Sequence, residues 1–510
     1  MRLPPKVYQF LVCCFAAIGS FTYGYDLAII SQVEASESFI AKFNPTTNEK
    51  GAVVSLFTGG CFFGAFGASF IADRWGRRVV LFSAAIIFMV GGCLQGGARN
   101  LNYLFGGRFI AGFGVGNLTM IIPLYQAEIA NPSIRGMVTA LQQFFLGIGS
   151  LCSSWIGYGC YLGFSDKKQY MVPLFLQIVP AGVLASMIFL FPESPRFLIM
   201  KGKLDEGLKT IARLHANGDT EDPFVVVEFD QILTEVEMEK KLNSTWLDLF
   251  NTRDRFRRII ICVALQASVQ LTGVSAIQYY SPTIFANIGL STGRTLLYQS
   301  INSIIALIAQ GICVLTIDLT GRRWALILCN IGSCLMFMIG AILLAQFPAA
   351  TNNSRPAQIG FIATTWIYNF IFSWGIGPLS WVIPAESFSL AIRSKGVSLA
   401  TMTSYAFNTM IGQVTDKAMN SVGWKYYLLF IICSFTNAIF FYCFLPETKG
   451  TPLELMDKLW QEVPIFVPSM KEKHTDFLKQ FEEEVQQVEE KGTVDHLEDI
   501  EKVNSNNTEV

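Results

Sequence analysis

Twelve stretches of about 20 predominantly apolar residues run through this chain, and each is long enough to cross a bilayer as a helix rising about 1.5 Å per residue. They centre on Phe10–Ile30, Gly51–Ile71, Val79–Gly97, Tyr103–Leu124, Val138–Leu162, Val172–Phe191, Arg258–Phe285, Leu296–Ile317, Trp324–Ala345, Gly360–Ile383, Val397–Met419 and Tyr426–Leu445. Lipid offers no hydrogen-bond partner to a backbone N–H or C=O, so such stretches must be helical. The expectation is an all-α membrane protein. With 52% hydrophobic and only 15% charged residues among 510, a soluble enzyme or secreted globule is excluded. The first stretch lacks a small-residue cleavage site and runs too long for a signal peptide, so it is read as a span.

Basic residues set the expected orientation. Arg74, Arg77, Arg78, Arg135, Arg196, Lys201, Arg253, Arg255, Arg257, Arg258, Arg322, Arg323, Arg393 and Lys395 follow even-numbered spans, which places those connections in the cytoplasm. An even number of spans puts both termini there. The domains then read as a cytoplasmic N-terminus (1–9), six spans (10–191), a cytoplasmic helical linker (192–257), six more spans (258–445) and an acidic cytoplasmic tail (446–510). In the linker, Leu204, Leu208, Ile211 and Leu214 recur at helical spacing and give one apolar stripe. Beyond Trp460 the tail reads as largely disordered. Asn352, in Asn352-Asn353-Ser354, would face outside and could accept a glycan. The twelve cysteines lie in or beside apolar stretches and read as small buried hydrophobes rather than disulfide partners. All three histidines lie in polar segments, so no intramembrane metal site, cofactor or histidine relay is indicated, and no basic footprint suggests nucleic acid.

The halves repeat. Asp73-Arg74-Trp75-Gly76-Arg77-Arg78 returns as Asp318-Leu319-Thr320-Gly321-Arg322-Arg323; Glu128 and Arg135 return as Glu386 and Arg393. Pro192-Glu193-Ser194-Pro195-Arg196 is echoed by Pro446-Glu447-Thr448-Lys449-Gly450. Three echoes at equivalent places imply two parallel six-helix bundles around a cleft, a geometry suited to alternating access.

With these motifs the chain resembles the sugar porters of the major facilitator superfamily, fungal monosaccharide transporters among them. The likeness spans residues 10 to 460. It adds Gly24-Tyr25-Asp26, Gly107-Arg108, Pro123-Leu124-Tyr125-Gln126-Ala127-Glu128, Gln270-Leu271-Thr272-Gly273, Tyr279-Tyr280, and Gly377-Pro378 with Trp381. It implies a monosaccharide:proton symporter of the plasma membrane, hexose or pentose, working as a monomer in the lipid bilayer without a cofactor and without enzymatic activity. A facilitative uniporter, a polyol or sugar-acid carrier and a non-transporting sugar sensor are the alternatives. Three departures stand out: Ser69 for a usual glycine, Ser389 for a usual proline, and Val269 and Ser275 for the amides that commonly flank Gln270-Leu271-Thr272-Gly273.

Charge inside a membrane is costly and marks function. Asp26 and Arg108 fall at similar depth, so they are expected to pair, with protonation of Asp26 coupling proton entry to substrate entry. The resemblance places substrate contacts at Gln143, Gln270, Ser275, Tyr279, Ser404 and Asn408, with Trp381 and Tyr23 as aromatic surface. For each polar residue an interhelical hydrogen bond is the alternative. Asp73, Arg74, Arg78, Glu128, Arg135, Glu193, Arg196, Asp318, Arg322, Arg323, Glu386, Arg393 and Glu447 are expected to form salt bridges between the halves that close the inner side. Gly375, Gly377 and Pro378 are expected to interrupt span ten. The run Gly112-Phe113-Gly114-Val115-Gly116 reads as small residues that let helices approach.

Overall fold

Among the described residues of the computed structural model, ten helices are long and apolar enough to cross a membrane. The last of them, Ile392–Phe444, is two spans, because Leu390–Val422 ends at a 3-10 turn over Gly423–Lys425 and Tyr426–Phe444 starts there. Arg135–Gly163 has the length of a span but carries Gln142, Gln143, Ser150, Ser153 and Ser154 on its sequence, so its apolarity falls short. With these the number is twelve. The structure describes residues 4–130, 134–242, 246–286, 289–347, 354–388, 390–449 and 456–469. Asn352, Ser389 and the acidic tail past Ser469 lie outside the described residues, as do the side chains of Arg135 and Asp318.

Spans one to six are Pro5–Glu34, Thr47–Trp75, Arg77–Gly96, Leu101–Ile129, Arg135–Gly163 and Lys168–Leu190. Spans seven to twelve are Arg253–Ala286, Thr292–Thr320, Arg323–Gln346, Arg355–Ser387, Leu390–Val422 and Tyr426–Phe444. Two spans break where the backbone requires it. Span seven turns at Gly273, whose φ of 89° is a left-handed value that L-residues disfavour, between Arg253–Leu271 and Val274–Ala286. Span ten passes through a π-turn at Phe372–Ile376, ending where Gly377-Pro378 begins the next helix, as the glycines and proline predict.

The glycine run of span four works by close approach. A Cβ on Gly112 would sit 2.0 Å from the Phe57 carbonyl oxygen, and one on Gly116 2.1 Å from that of Cys61. Gly60 and Gly64 of span two reciprocate, at 2.3 Å from the Phe109 oxygen and 2.2 Å from the Phe113 oxygen. In lipid, where the hydrophobic effect does not press helices together, such backbone contact supplies the packing. Gly112→Leu is therefore expected to abolish recovery of folded protein from detergent, measured as the monodisperse fraction on size exclusion.

The two halves meet along two long seams. Spans two and eleven are joined by Ser55 to Gln413 at 2.9 Å, Thr58 with Thr409 at 2.7 Å, and Ser398 donating to the Ala65 carbonyl at 2.7 Å. Spans five and eight are joined by Ser300 donating to the Ser154 carbonyl at 3.1 Å. Near the end of the bundle opposite the linker, Gln32 of span one and Gln299 of span eight bond at 3.1 Å, and Gln299 also donates to Ser31 at 2.7 Å.

The linker helices Pro195–Met200, Leu204–His215 and Pro223–Leu242 enclose a small apolar core of Ile199, Ile211, Ala212, Val225, Ile232 and Val236. Of the expected stripe, Ile211 and Leu214 are buried and Leu208 packs on that core, whereas Leu204, the first residue of its helix, is 40% exposed. Just past Trp460 the chain is ordered as far as Ser469: Val463 and Val467 are buried, Trp460 is fully buried, and Arg257 donates to the carbonyls of Val463 (2.6 Å) and Pro464 (2.8 Å), while the acidic remainder for which disorder is expected lies outside the described residues. Apolar Val463 and Val467, which precede the acidic run, give this stretch something to bury. The cysteines also need correction. All are free thiols, but Cys93 is exposed and Cys14, Cys152, Cys334, Cys433 and Cys443 are half-buried, on helix faces that their neighbours cover only in part.

Candidate functional site

Asp26 sits in the middle of the second helix of span one, and Arg108 two turns into span four. Both side chains are 0% exposed, and Arg108 Nη1 donates to Asp26 Oδ2 at 2.6 Å. Arg108 is held from two further sides: its Nε donates to the Val53 carbonyl at 3.0 Å, and its guanidinium lies 4.2 Å from the Phe57 ring centre. The pair expected from sequence is therefore formed, and it is sealed from solvent. A second Asp26 oxygen, Oδ1, is buried without a hydrogen-bond partner among the described residues.

Between spans one, five, seven, eight and ten lies a cavity of about 90 Å³. Its polar lining is made of amides and hydroxyls: Gln143, Gln278, Gln299, Asn302, Gln310 and Asn369, with serines between them, and Tyr368 and Phe372 as aromatic surface. No charged side chain lines it. Helical spacing explains the wall. Residues 143, 146, 147, 150 and 154 share one face of span five, and 299, 302, 303, 306 and 310 share one face of span eight. The volume is well below the roughly 300 Å³ at which ligand clefts begin. A bound monosaccharide therefore requires this space to widen.

Of the residues expected to touch substrate, Gln143 lines this cavity and Trp381 bonds to it, Nε1 to Oε1 at 3.0 Å. The others form a neighbouring network on the far face of span seven. Gln270 donates to Ser404 Oγ at 3.0 Å and accepts from Ser275; Tyr279 lies beside Asn408; Tyr23 packs edge-on to Tyr405 with ring centres 6.3 Å apart. A common cavity for Gln143 and Gln270 was the expectation, and the described cavity does not include Gln270. The reason is register: Val274, Ile277, Gln278 and Ser281 share the cavity face of span seven, while Ser275 and Tyr279 face Ser404 and Asn408 of span eleven. Sequence reasoning missed Gln278, Gln299, Asn302, Gln310 and Asn369. A polar stripe on one face of otherwise apolar span eight was the signal for three of them.

The charged motifs at the linker end also pair differently from expectation. Glu128 bonds Arg77, not Arg74 or Arg78, through Nε at 2.9 Å and Nη2 at 2.8 Å, both side chains buried. Arg322 repeats this with Glu386 at 3.1 Å. Glu193 accepts the backbone N–H groups of Arg77 (3.0 Å) and Arg78 (3.2 Å), and Glu447 those of Arg322 (2.8 Å) and Arg323 (3.0 Å). A carboxylate thus completes the N-terminus of span three and of span nine, where free N–H groups and the helix dipole favour negative charge. These pairs lie within each half, not between halves. The sequence expectation is corrected because the arginine that opens a span reaches the glutamate closing the neighbouring span of its own bundle. Across the halves, Ser394 donates to Asp73 at 3.1 Å and Lys395 faces the same carboxylate. Arg196 and Arg393 are buried nearby, and Arg393 donates to the Phe388 carbonyl at 3.0 Å. Arg74 is exposed against Trp75.

Comparison with known proteins bears on the fold and the family. A family model described as "Sugar (and other) transporter" matches residues 12–460. An MFS-type transporter of Aspergillus cristatus is 32% identical over 88% of this chain and 92% of its own length. A quinate permease of Emericella nidulans is 32% identical over 91% of each chain. High-affinity glucose transporter 1 of Candida albicans is 30% identical over 90% of this chain and 87% of its own. Among solved structures, the proton:xylose symporter XylE bound to 6-bromo-6-deoxy-D-glucose matches 89% of this chain and 99% of its own with a TM-score of 0.78 at 24% identity.

Proposed function

The chain belongs to the sugar transporter family of the major facilitator superfamily, a family of membrane transporters, and from that premise we propose that it carries a neutral monosaccharide together with a proton by alternating access. The observation that carries the substrate class is the uncharged, amide-lined cavity formed between both halves. A monosaccharide offers many hydroxyls, each a donor and an acceptor, and amides meet both needs. A sugar acid would need a cation, but no Lys or Arg among the described residues lines the cavity, and the buried Arg108 is bonded to Asp26. That favours a neutral sugar over a carboxylate such as the quinate relative's name denotes.

In this reading Gln143 and Trp381 hold the substrate at the cavity, and span seven, hinged at Gly273, and span ten, bent at its π-turn, move as it enters. The bonds of Gln270 with Ser404 and Ser275 then exchange for substrate hydroxyls, with Tyr279, Asn408 and Tyr23 completing that side. Asp26 takes the proton, which releases Arg108 and links proton to substrate movement. The protein would sit in the plasma membrane with both termini and the linker in the cytoplasm, where the basic connections place them. The substrate path lies within one chain, so a monomer suffices. Asp73, Ser394 and Lys395 would tie the halves at the cytoplasmic side.

A panel of labelled neutral monosaccharides, polyols and sugar acids in a host lacking its own transporters tests the proposal. Neutral monosaccharides should accumulate, and a proton uncoupler should collapse the gradient. Uptake of sugar acids alone would overturn the substrate class, and accumulation insensitive to the uncoupler would overturn the coupling. Gln270→Ala should weaken transport affinity about fivefold, the value of roughly 1 kcal/mol for one neutral hydrogen bond.

A further inference from the structure

We propose that Gln310 of span eight is a specificity-determining residue: its Oε1 accepts a hydrogen bond from one substrate hydroxyl, across the seam between the two halves. The assignment rests on the neutral-sugar reading above and adds a contact that the family motifs in this sequence do not supply.

Four observations carry it. Gln310 lines the central cavity and is only 3% exposed. Its Oε1 is buried and has no hydrogen-bond partner among the described residues, so the oxygen is desolvated with nothing yet to repay the loss. The amide lies directly against Gly147 of span five, in the other half, so closely that a Cβ on Gly147 would be 1.7 Å from Oε1 and 2.8 Å from Cδ. Only a glycine leaves this place open. Finally, Gln143 stands one turn along span five from Gly147, and its orientation is fixed: the Trp381 indole N–H can only donate, so the Gln143 atom it meets at 3.0 Å is the carbonyl oxygen, and the Nε2 donor remains for another partner.

The cavity therefore presents a donor from one half, Gln143 Nε2, and an acceptor from the other, Gln310 Oε1. Hydroxyls of a sugar can receive from the first and donate to the second. Such a ligand bonds both halves at once, and its binding favours arrangements in which those two amides line one space. A carboxylate, which only accepts, cannot supply the proton that Gln310 Oε1 needs. The same residue thus reads the presence of one hydroxyl and helps reject a ligand lacking it.

The test is a deoxy-analogue series with substitutions at both seam positions. For the wild-type carrier, one monodeoxy analogue of its best sugar should compete about fivefold to tenfold less well because an acceptor in the site goes unmet. In Gln310→Ala and in Gln310→Met, which keeps volume but has no oxygen, that penalty should fall to about onefold while the penalties for other deoxy positions persist. Gly147→Ala should produce the same loss by displacing the amide, and should add nothing when combined with Gln310→Ala. If the Gln310 variants leave every deoxy penalty unchanged, or if the effects of Gly147→Ala and Gln310→Ala add independently, the assignment is overturned while the neutral-sugar reading stands. A wild-type carrier that moves no neutral hydroxylated substrate overturns both.

Discussion

Asp26→Asn is expected to abolish sugar accumulation against a gradient while exchange of labelled for unlabelled sugar continues, measured in vesicles with an imposed pH difference. The substitution keeps the shape and one acceptor oxygen but removes the titratable group, so it separates coupling from binding. Arg108→Leu is expected to do more damage. It leaves the Asp26 carboxylate with 0% exposure and no counter-charge, and removing one partner of a buried pair costs about 3–5 kcal/mol. The bonds of Arg108 to the Val53 carbonyl and its contact with the Phe57 ring go with it. The double variant Asp26→Leu with Arg108→Leu should regain much of that stability, because an apolar pair in the same space has no charge to desolvate, yet it should remain uncoupled. A thermal-melt series in detergent reads the stability and a pH-jump uptake assay reads the coupling. Full accumulation by Asp26→Asn would remove this carboxyl from the coupling mechanism.

The Asp26–Arg108 pair was legible in the sequence because two lone charges at matching depth in apolar helices have few alternatives to each other. The span number was legible for the same kind of reason: bilayer thickness fixes helix length. Register around a helix axis was harder. Gln270 and Gln278 both lie on span seven, but the break at Gly273 separates them, and Gln278 is the one that reaches the cavity. No motif distinguishes the two. Choosing which arginine of Arg74, Arg77 and Arg78 meets Glu128 failed likewise. Gly76, with φ at 95°, turns the chain so that Arg77 opens span three on the inner face, and this turn depends on the Glu193 carboxylate packed against it. The amides of span eight were visible as polar letters in an apolar helix, but no resemblance pointed to them.

The Arg77–Glu128 pair carries the second large expected effect, and it separates framework from gate. Glu128→Gln should lower the melting temperature sharply, since it removes the charge that offsets a buried guanidinium, a loss of about 3–5 kcal/mol. Glu128→Lys should yield no folded protein. Exchanging the pair, Arg77→Glu with Glu128→Arg, should restore only part of the stability, because Arg77 also donates to the Ala72 carbonyl and a glutamate cannot. Glu386→Gln should behave like Glu128→Gln, given the equivalent bond from Arg322. Asp73 should not. Its contacts with Ser394 and Lys395 cross the halves, so Asp73→Asn, whose amide oxygen still accepts from Ser394 but carries no charge, is expected to leave melting nearly unchanged and to raise the population open at the linker side by about tenfold, the effect of losing roughly 1.5 kcal/mol of charge assistance. Accessibility of a cysteine placed in the inner vestibule would report that population. If Asp73→Asn instead melts the protein while Glu128→Gln alters only access, the roles of the two carboxylates are reversed: Glu128 would be the moving contact and Asp73 part of the fixed frame.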